Sequence, residues 1–93
     1  KTQKAYYYLA AGLIEARKNN FQIAAPHLEE ALKIGLRTKH DRAIASLNLA
    51  GIYFNMGNRD KSARYLAETK NNNPAPALAA RIEELETALG RSN

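Results

Sequence analysis

Residues 49–66 read LAGIYFNMGNRDKSARYL, and residues 11–28 read AGLIEARKNNFQIAAPHL. Laid over one another with a shift of 38 positions, Gly12 meets Ala50, Asn20 meets Asn58, Ala24 meets Ser62 and Leu28 meets Leu66. One helical turn further on, Ala31 meets Thr69. Small side chains fall on small ones and leucine on leucine, in the same order. Asn19-Asn20-Phe21 matches Gly57-Asn58-Arg59 as the turn inside each copy. A sequence that repeats its small and large positions in this way is expected to build one helical hairpin twice. Each copy then buries its apolar face against its neighbour.

Outward from this pair, five helical segments are expected, and no stretch alternates with a strand period. The first runs from about Gln3 to Lys18 and stops at Asn19-Asn20, since asparagine tolerates left-handed backbone. The second runs from about Phe21 to Ile34 and ends at Gly35, the usual glycine position after a helix. Pro26 is expected to hold its true start near Gln22 to Ala25, or to kink it, because proline suits only a first turn. Asp41 sits where an N-cap is wanted, ahead of a third helix from Arg42 to Met56. Gly57-Asn58 closes that helix, and a fourth follows from about Arg59 to Lys70. Asn71-Asn72-Asn73-Pro74 ends it. Pro76 opens the fifth, from Ala77 to about Leu89, with Gly90 as terminator. Leu78, Ile82, Leu85 and Leu89 give that helix one apolar stripe, which reads as core packing.

The second copy, Leu49-Ala50-x-x-Tyr53, then Ser62-x-x-x-Leu66 and Pro74, resembles the tetratricopeptide repeat (TPR). The first copy supplies Tyr8-x-x-Ala11-Gly12, then Ala24-x-x-x-Leu28-x-x-Ala31. Glu15 and Ser46 depart from the family's aromatics, and no proline closes the first unit. The shift of 38 exceeds the family's usual length of roughly 34 residues. The added residues are expected between Gly35 and Asp41, as a helical turn or a longer loop. Other helix-pair repeats fit the same count of hairpins. The resemblance implies an all-α, TPR-like α-solenoid of five helices in a single domain, 1–93. Its first repeat spans about 3–38, its second about 41–74 and a capping helix about 76–90.

Composition agrees with helix. Alanine, leucine, lysine, arginine and glutamate dominate and valine is absent, and unbranched side chains lose little rotamer freedom in a helix. With no cysteine, thiolate zinc sites and thiol catalysis are excluded and packing alone must hold the fold. No apolar run is long enough to cross a bilayer. The chain opens at Lys1, which is expected of a piece excised from a longer protein with room for an upstream signal or anchor. The compartment stays open, the cytoplasm slightly favoured. A net charge of +5 admits acidic partners, yet acidic residues are scattered among the basic ones. A nucleic-acid footprint is a clustered stripe, and its candidates here are Arg37, Lys39, Arg42 and their neighbours around the inter-repeat turn.

Catalytic chemistry finds no support. His27 and His40 lie on different segments, with no metal-ligand pair at helical spacing. Ser46, Ser62 and Ser92 lack a nucleophile context, and the five glycines are isolated. Glu29-Glu30 and Glu83-Glu84 read as solvated faces, with Glu29 beside Lys33 at i, i+4. No cofactor and no metal are expected, and the chain is expected not to be an enzyme.

The resemblance implies instead that the first helix of each pair lines a concave face that takes a protein or peptide partner. Its candidate residues are Tyr6, Leu9, Leu13 and Arg17, then Ile44, Leu47, Asn48, Gly51, Phe54 and Asn55. Leu9 and Leu47 occupy places where family members that grip a C-terminal carboxylate carry polar groups. An apolar groove with Arg17, Asn48 and Asn55 as polar contacts is therefore expected. Tyr6-Tyr7-Tyr8 cannot all face one core, because successive helical residues point about 100° apart. At least one ring is left for an interface, so the alternative role is self-assembly through helix ends or this cluster.

Overall fold

The computed structural model describes residues 2–90 and is all-helical, with no strand among them. Helix α1 spans Thr2–Arg17, α2 Phe21–Ile34, α3 Lys39–Asn55, α4 Arg59–Asn71 and α5 Ala79–Gly90, the last preceded by a 3₁₀ turn over Pro76–Leu78. Ser92 lies outside the described residues, as does whatever follows Gly90.

The first four helices stop where the backbone turns left-handed. Asn19 sits at φ +63°, Gly35 at +117°, Gly57 at +81° and Asn73 at +49°. Glycine and asparagine are the residues that enter this region at least cost. After α1 the Asn20 amide reaches back to the Glu15 carbonyl at 2.9 Å, satisfying one of the helix's last acceptors.

One helix carries its proline deeper than expected, and another starts earlier than expected. Helix α2 begins at Phe21, so Pro26 lies in its second turn. The carbonyl that loses its partner there belongs to the exposed Gln22, where water can replace the missing N–H. Helix α3 begins at Lys39, and its N-cap is Thr38, not Asp41: the Asp41 amide donates to Thr38 Oγ1 at 3.0 Å. This is one half of a capping box, the hydroxyl taking an amide of the first turn, while the Asp41 carboxylate is taken by the Tyr6 hydroxyl. The added length between the hairpins is thus a short loop after Gly35 and an earlier start to α3.

The first hairpin pairs α1 with α2, the second pairs α3 with α4, and α2 packs on α3. Gly12 makes the first pairing tight, since a Cβ there would lie 2.7 Å from Leu28 Cδ2 and Cγ. In the second pairing Ser62 Oγ donates to the Ala50 carbonyl at 2.7 Å. The matched positions Leu28, Ala31, Leu66 and Thr69 are all buried. Complete burial of Leu28 is worth about 1.5–3 kcal/mol.

Helix α3 is central because it is buried on two sides. Leu49, Ile52 and Tyr53 join Ala5, Leu9, Ala24 and Leu28 in one apolar cluster. Leu47 and Ala50 join Leu66, Ile82 and Leu85 in another. The leucine stripe of α5 therefore lies on the second hairpin, flanked by the half-buried Leu78 and Leu89. Arg59 Nη2 donates to the Leu89 carbonyl at 2.6 Å, and Lys70 pairs with Glu86.

Buried polar groups are satisfied locally. Ser46 Oγ donates to the Arg42 carbonyl at 2.8 Å, and Thr69 Oγ1 lies 3.0 Å from Ser46 Oγ. Among the described residues no buried side-chain polar atom lacks a partner. Glu29 departs from the solvated role expected of it. Half-buried, its carboxylate accepts hydroxyls from α3 and α4 instead of pairing with Lys33.

Candidate functional site

Helices α1 and α5 do not touch one another, and both touch α3. The space between them is a groove of about 560 Å³, floored by α3 and walled by α1 on one side and by α5 with its 3₁₀ turn on the other. Six of the expected residues meet here: Leu13 and Arg17 from α1, and Ile44, Asn48, Gly51 and Asn55 from α3. Their spacing explains the convergence. Ile44, Asn48 and Asn55 stand four and seven apart, on one face of α3, as Leu13 and Arg17 stand four apart on α1.

The other expected residues are engaged elsewhere. Leu9 and Leu47 are only 8% and 5% exposed, one in each core cluster, and present almost no surface to a partner. Phe54 packs against the α5 cluster under the Arg59 guanidinium, 5.7 Å from the ring centroid. Tyr6 fastens α1 to the start of the second hairpin. Its hydroxyl donates to the Asp41 carboxylate and accepts the Arg37 amide at 3.1 Å. The bond to Asp41 raises the Tyr6 pKa above its ordinary value of 10.0.

Arg81 and Leu78 were not expected in the groove, but both line it. Their positions carried a signal. Arg81 is three residues after Leu78 and four before Leu85, which places it on the flank of the α5 stripe. Its guanidinium lies directly over Gly51, with Nη2 2.8 Å from where a Cβ would stand and Cζ 3.8 Å away.

The polar groups divide into committed and available. Asn48 and Asn55 each turn Nδ2 back onto α3, to the Ile44 and Gly51 carbonyls at 2.9 Å. That leaves their Oδ1 atoms free to accept. Among the described residues, Arg17 and Arg81 make no hydrogen bond or ion pair, and no lining side chain carries a carboxylate.

The basic residues between the hairpins form no comparable site. Arg42 is committed to the fold through the Leu36 carbonyl at 2.7 Å and Asn72 Oδ1 at 3.2 Å. His27 packs beside Tyr8, 5.6 Å between rings, and His40 is exposed on α3. Among the described residues no cluster of acids and histidines has the arrangement to hold a metal ion, and no helix is long and apolar enough to cross a membrane. Comparison with protein-family models, with curated proteins and with solved structures gave no match.

Proposed function

We propose that the chain is a short TPR-like array, two helical hairpins closed by a capping helix, that binds a partner polypeptide in the groove over α3 and carries out no catalysis. The observation that carries this reading is the convergence of Leu13, Arg17, Ile44, Asn48 and Asn55, from two helices, on one open groove. Ligand sites have this make-up, an apolar surface with a few placed polar groups. Side-by-side hairpins with small residues at equivalent contacts, Gly12 and Ala50, support the array. So does the elongated envelope of 41 × 27 × 19 Å.

The test is a selection of random peptides on the immobilised chain. Peptides enriched by the native protein should be lost by Ile44→Glu and Leu13→Glu variants whose helical circular dichroism is unchanged. Retention of the same peptides by both variants would remove the groove from the account.

A second reading, self-assembly, is favoured by one feature. Tyr7 is 66% exposed and Ile14 52%, and seven residues apart they share a face of α1. Light scattering across a concentration series decides it. A mass that climbs with concentration, and falls back in Tyr7→Ser with Ile14→Ser, supports assembly; a constant monomer mass excludes it.

A further inference from the structure

We infer that the occupant of the groove is an internal acidic segment of a partner polypeptide, whose side-chain carboxylates are taken by Arg17 and Arg81, and that Gly51 is the residue that seats Arg81 on the groove floor. The inference rests on the groove reading above and specifies what the groove selects.

The charge of the site points one way. Two guanidiniums line it, no carboxylate lines it with them, and neither guanidinium is satisfied by the protein among the described residues. Each offers several N–H donors in a planar fork that matches a carboxylate. A chain of net charge +5 also draws acidic partners in from a distance.

The placement of Arg81 is made possible by a missing side chain. Glycine in the middle of a helix costs about 1 kcal/mol relative to alanine, and α3 carries one at position 51. Here the bare backbone lets Nη2 come within 2.8 Å of the Cβ position. Any larger residue pushes the guanidinium off the floor.

The separation of the two cations selects side chains over a chain end. Arg17 is on α1 and Arg81 on α5, helices that do not touch, with α3 between them. A single terminal carboxylate brings one anionic group to two walls. Two acidic side chains on one extended strand serve both. Between them, Leu13, Ile44 and Leu78 offer apolar contact to an intervening residue. The free Oδ1 atoms of Asn48 and Asn55 can accept backbone N–H groups of the strand.

Fluorescence anisotropy with short labelled peptides tests this on the full chain. The probes are an acetylated and amidated peptide alternating Glu with Leu, its Gln-for-Glu counterpart, the Gln peptide with a free C-terminus, and a single-stranded thymidine oligonucleotide. The Glu peptide should bind about 100-fold tighter than the amidated Gln peptide, about 10-fold for each carboxylate taken by an arginine. Arg17→Gln and Arg81→Gln should each remove about 10-fold from Glu-peptide affinity and leave the Gln peptide unchanged. Gly51→Ala should weaken the Glu peptide alone, at an unfolding midpoint no lower than native, because only the end of a flexible side chain has to move.

Equal binding of the Glu and amidated Gln peptides, both lost in Ile44→Glu, would overturn the acidic assignment while leaving the groove in place. Binding of the free-terminus Gln peptide at Glu-peptide strength would overturn the choice of side chains over a chain end. Oligonucleotide binding at that strength would reassign the site to phosphates. Failure of every peptide to bind, or binding indifferent to Ile44→Glu, would sink the groove as well.

Discussion

Oε2 of Glu29 accepts the Tyr53 hydroxyl at 2.8 Å, tying α2 to α3 across the boundary between the hairpins. The same oxygen accepts the Tyr65 hydroxyl from α4 at 2.9 Å. The two rings stack 5.9 Å apart at 7°, and Lys61 Nζ lies 4.9 Å over the Tyr53 ring. Three helices thus meet at one carboxylate oxygen. Glu29→Ala should cost about 1–3 kcal/mol in urea unfolding and Tyr53→Phe about 1 kcal/mol. The double variant should cost less than their sum, since both remove the same bond.

The same tyrosines set an alkaline limit. Burial, followed by the bond to Glu29, pushes the Tyr53 hydroxyl up to about 12 from 10.0, and the Tyr65 hydroxyl is raised for the same two reasons. Above pH 10 the unfolded chain releases protons that the folded chain still holds. Stability from this source is therefore complete below about pH 10 and lost as pH rises through about 12. Urea midpoints measured across that range should fall more steeply for the native chain than for a Tyr53→Phe, Tyr65→Phe variant.

Gly12 and Gly51 should respond oppositely to alanine. Both lie inside helices, where propensity alone makes alanine better by about 1 kcal/mol. At position 12 the new methyl meets the body of Leu28 at 2.7 Å, inside a packed hairpin, and overpacking of this kind costs about 1–3 kcal/mol. At position 51 it meets only the tip of Arg81. Gly12→Ala should lower the unfolding midpoint, and Gly51→Ala should hold or raise it.

Thr38→Ala removes the acceptor for the Asp41 amide and should destabilise α3 by about 1 kcal/mol. Thr38→Ser should restore most of this. Equal midpoints for the native chain and Thr38→Ala would mean that Asp41 caps α3 in its place.

The helices were legible from the sequence because their ends are written in residues with narrow conformational preferences. Asn19, Gly35, Gly57 and Asn73, each at positive φ, mark ends that hydrophobic spacing alone would blur. The start of α3 is ambiguous in the sequence because Asp41 is itself a good cap. The competing signal was Thr38 three residues earlier, with Asp41 as its partner. Side-chain direction was harder to read. Leu9 and Leu47 share helix faces with groove residues, but each helix is buried through a wide arc and they fall inside it. Along its own helix Glu29 has Lys33 as the nearest opposite charge, while its actual partners are 24 and 36 residues away. Arg81 depends on how α5 is rotated on α3, which only packing decides.

Helix α5 is held by α3 and α4 alone, and it hangs from a Pro74-Ala75-Pro76 strap in which two residues have no amide to donate. One side of the cleft is thus the least anchored piece of the molecule, free to loosen without disturbing the glycine-tight first hairpin. Deuterium should enter its amides sooner than those of α3. A bound strand spanning α1 and α5 would act as a splint, slowing that uptake throughout a helix it touches at only a few side chains.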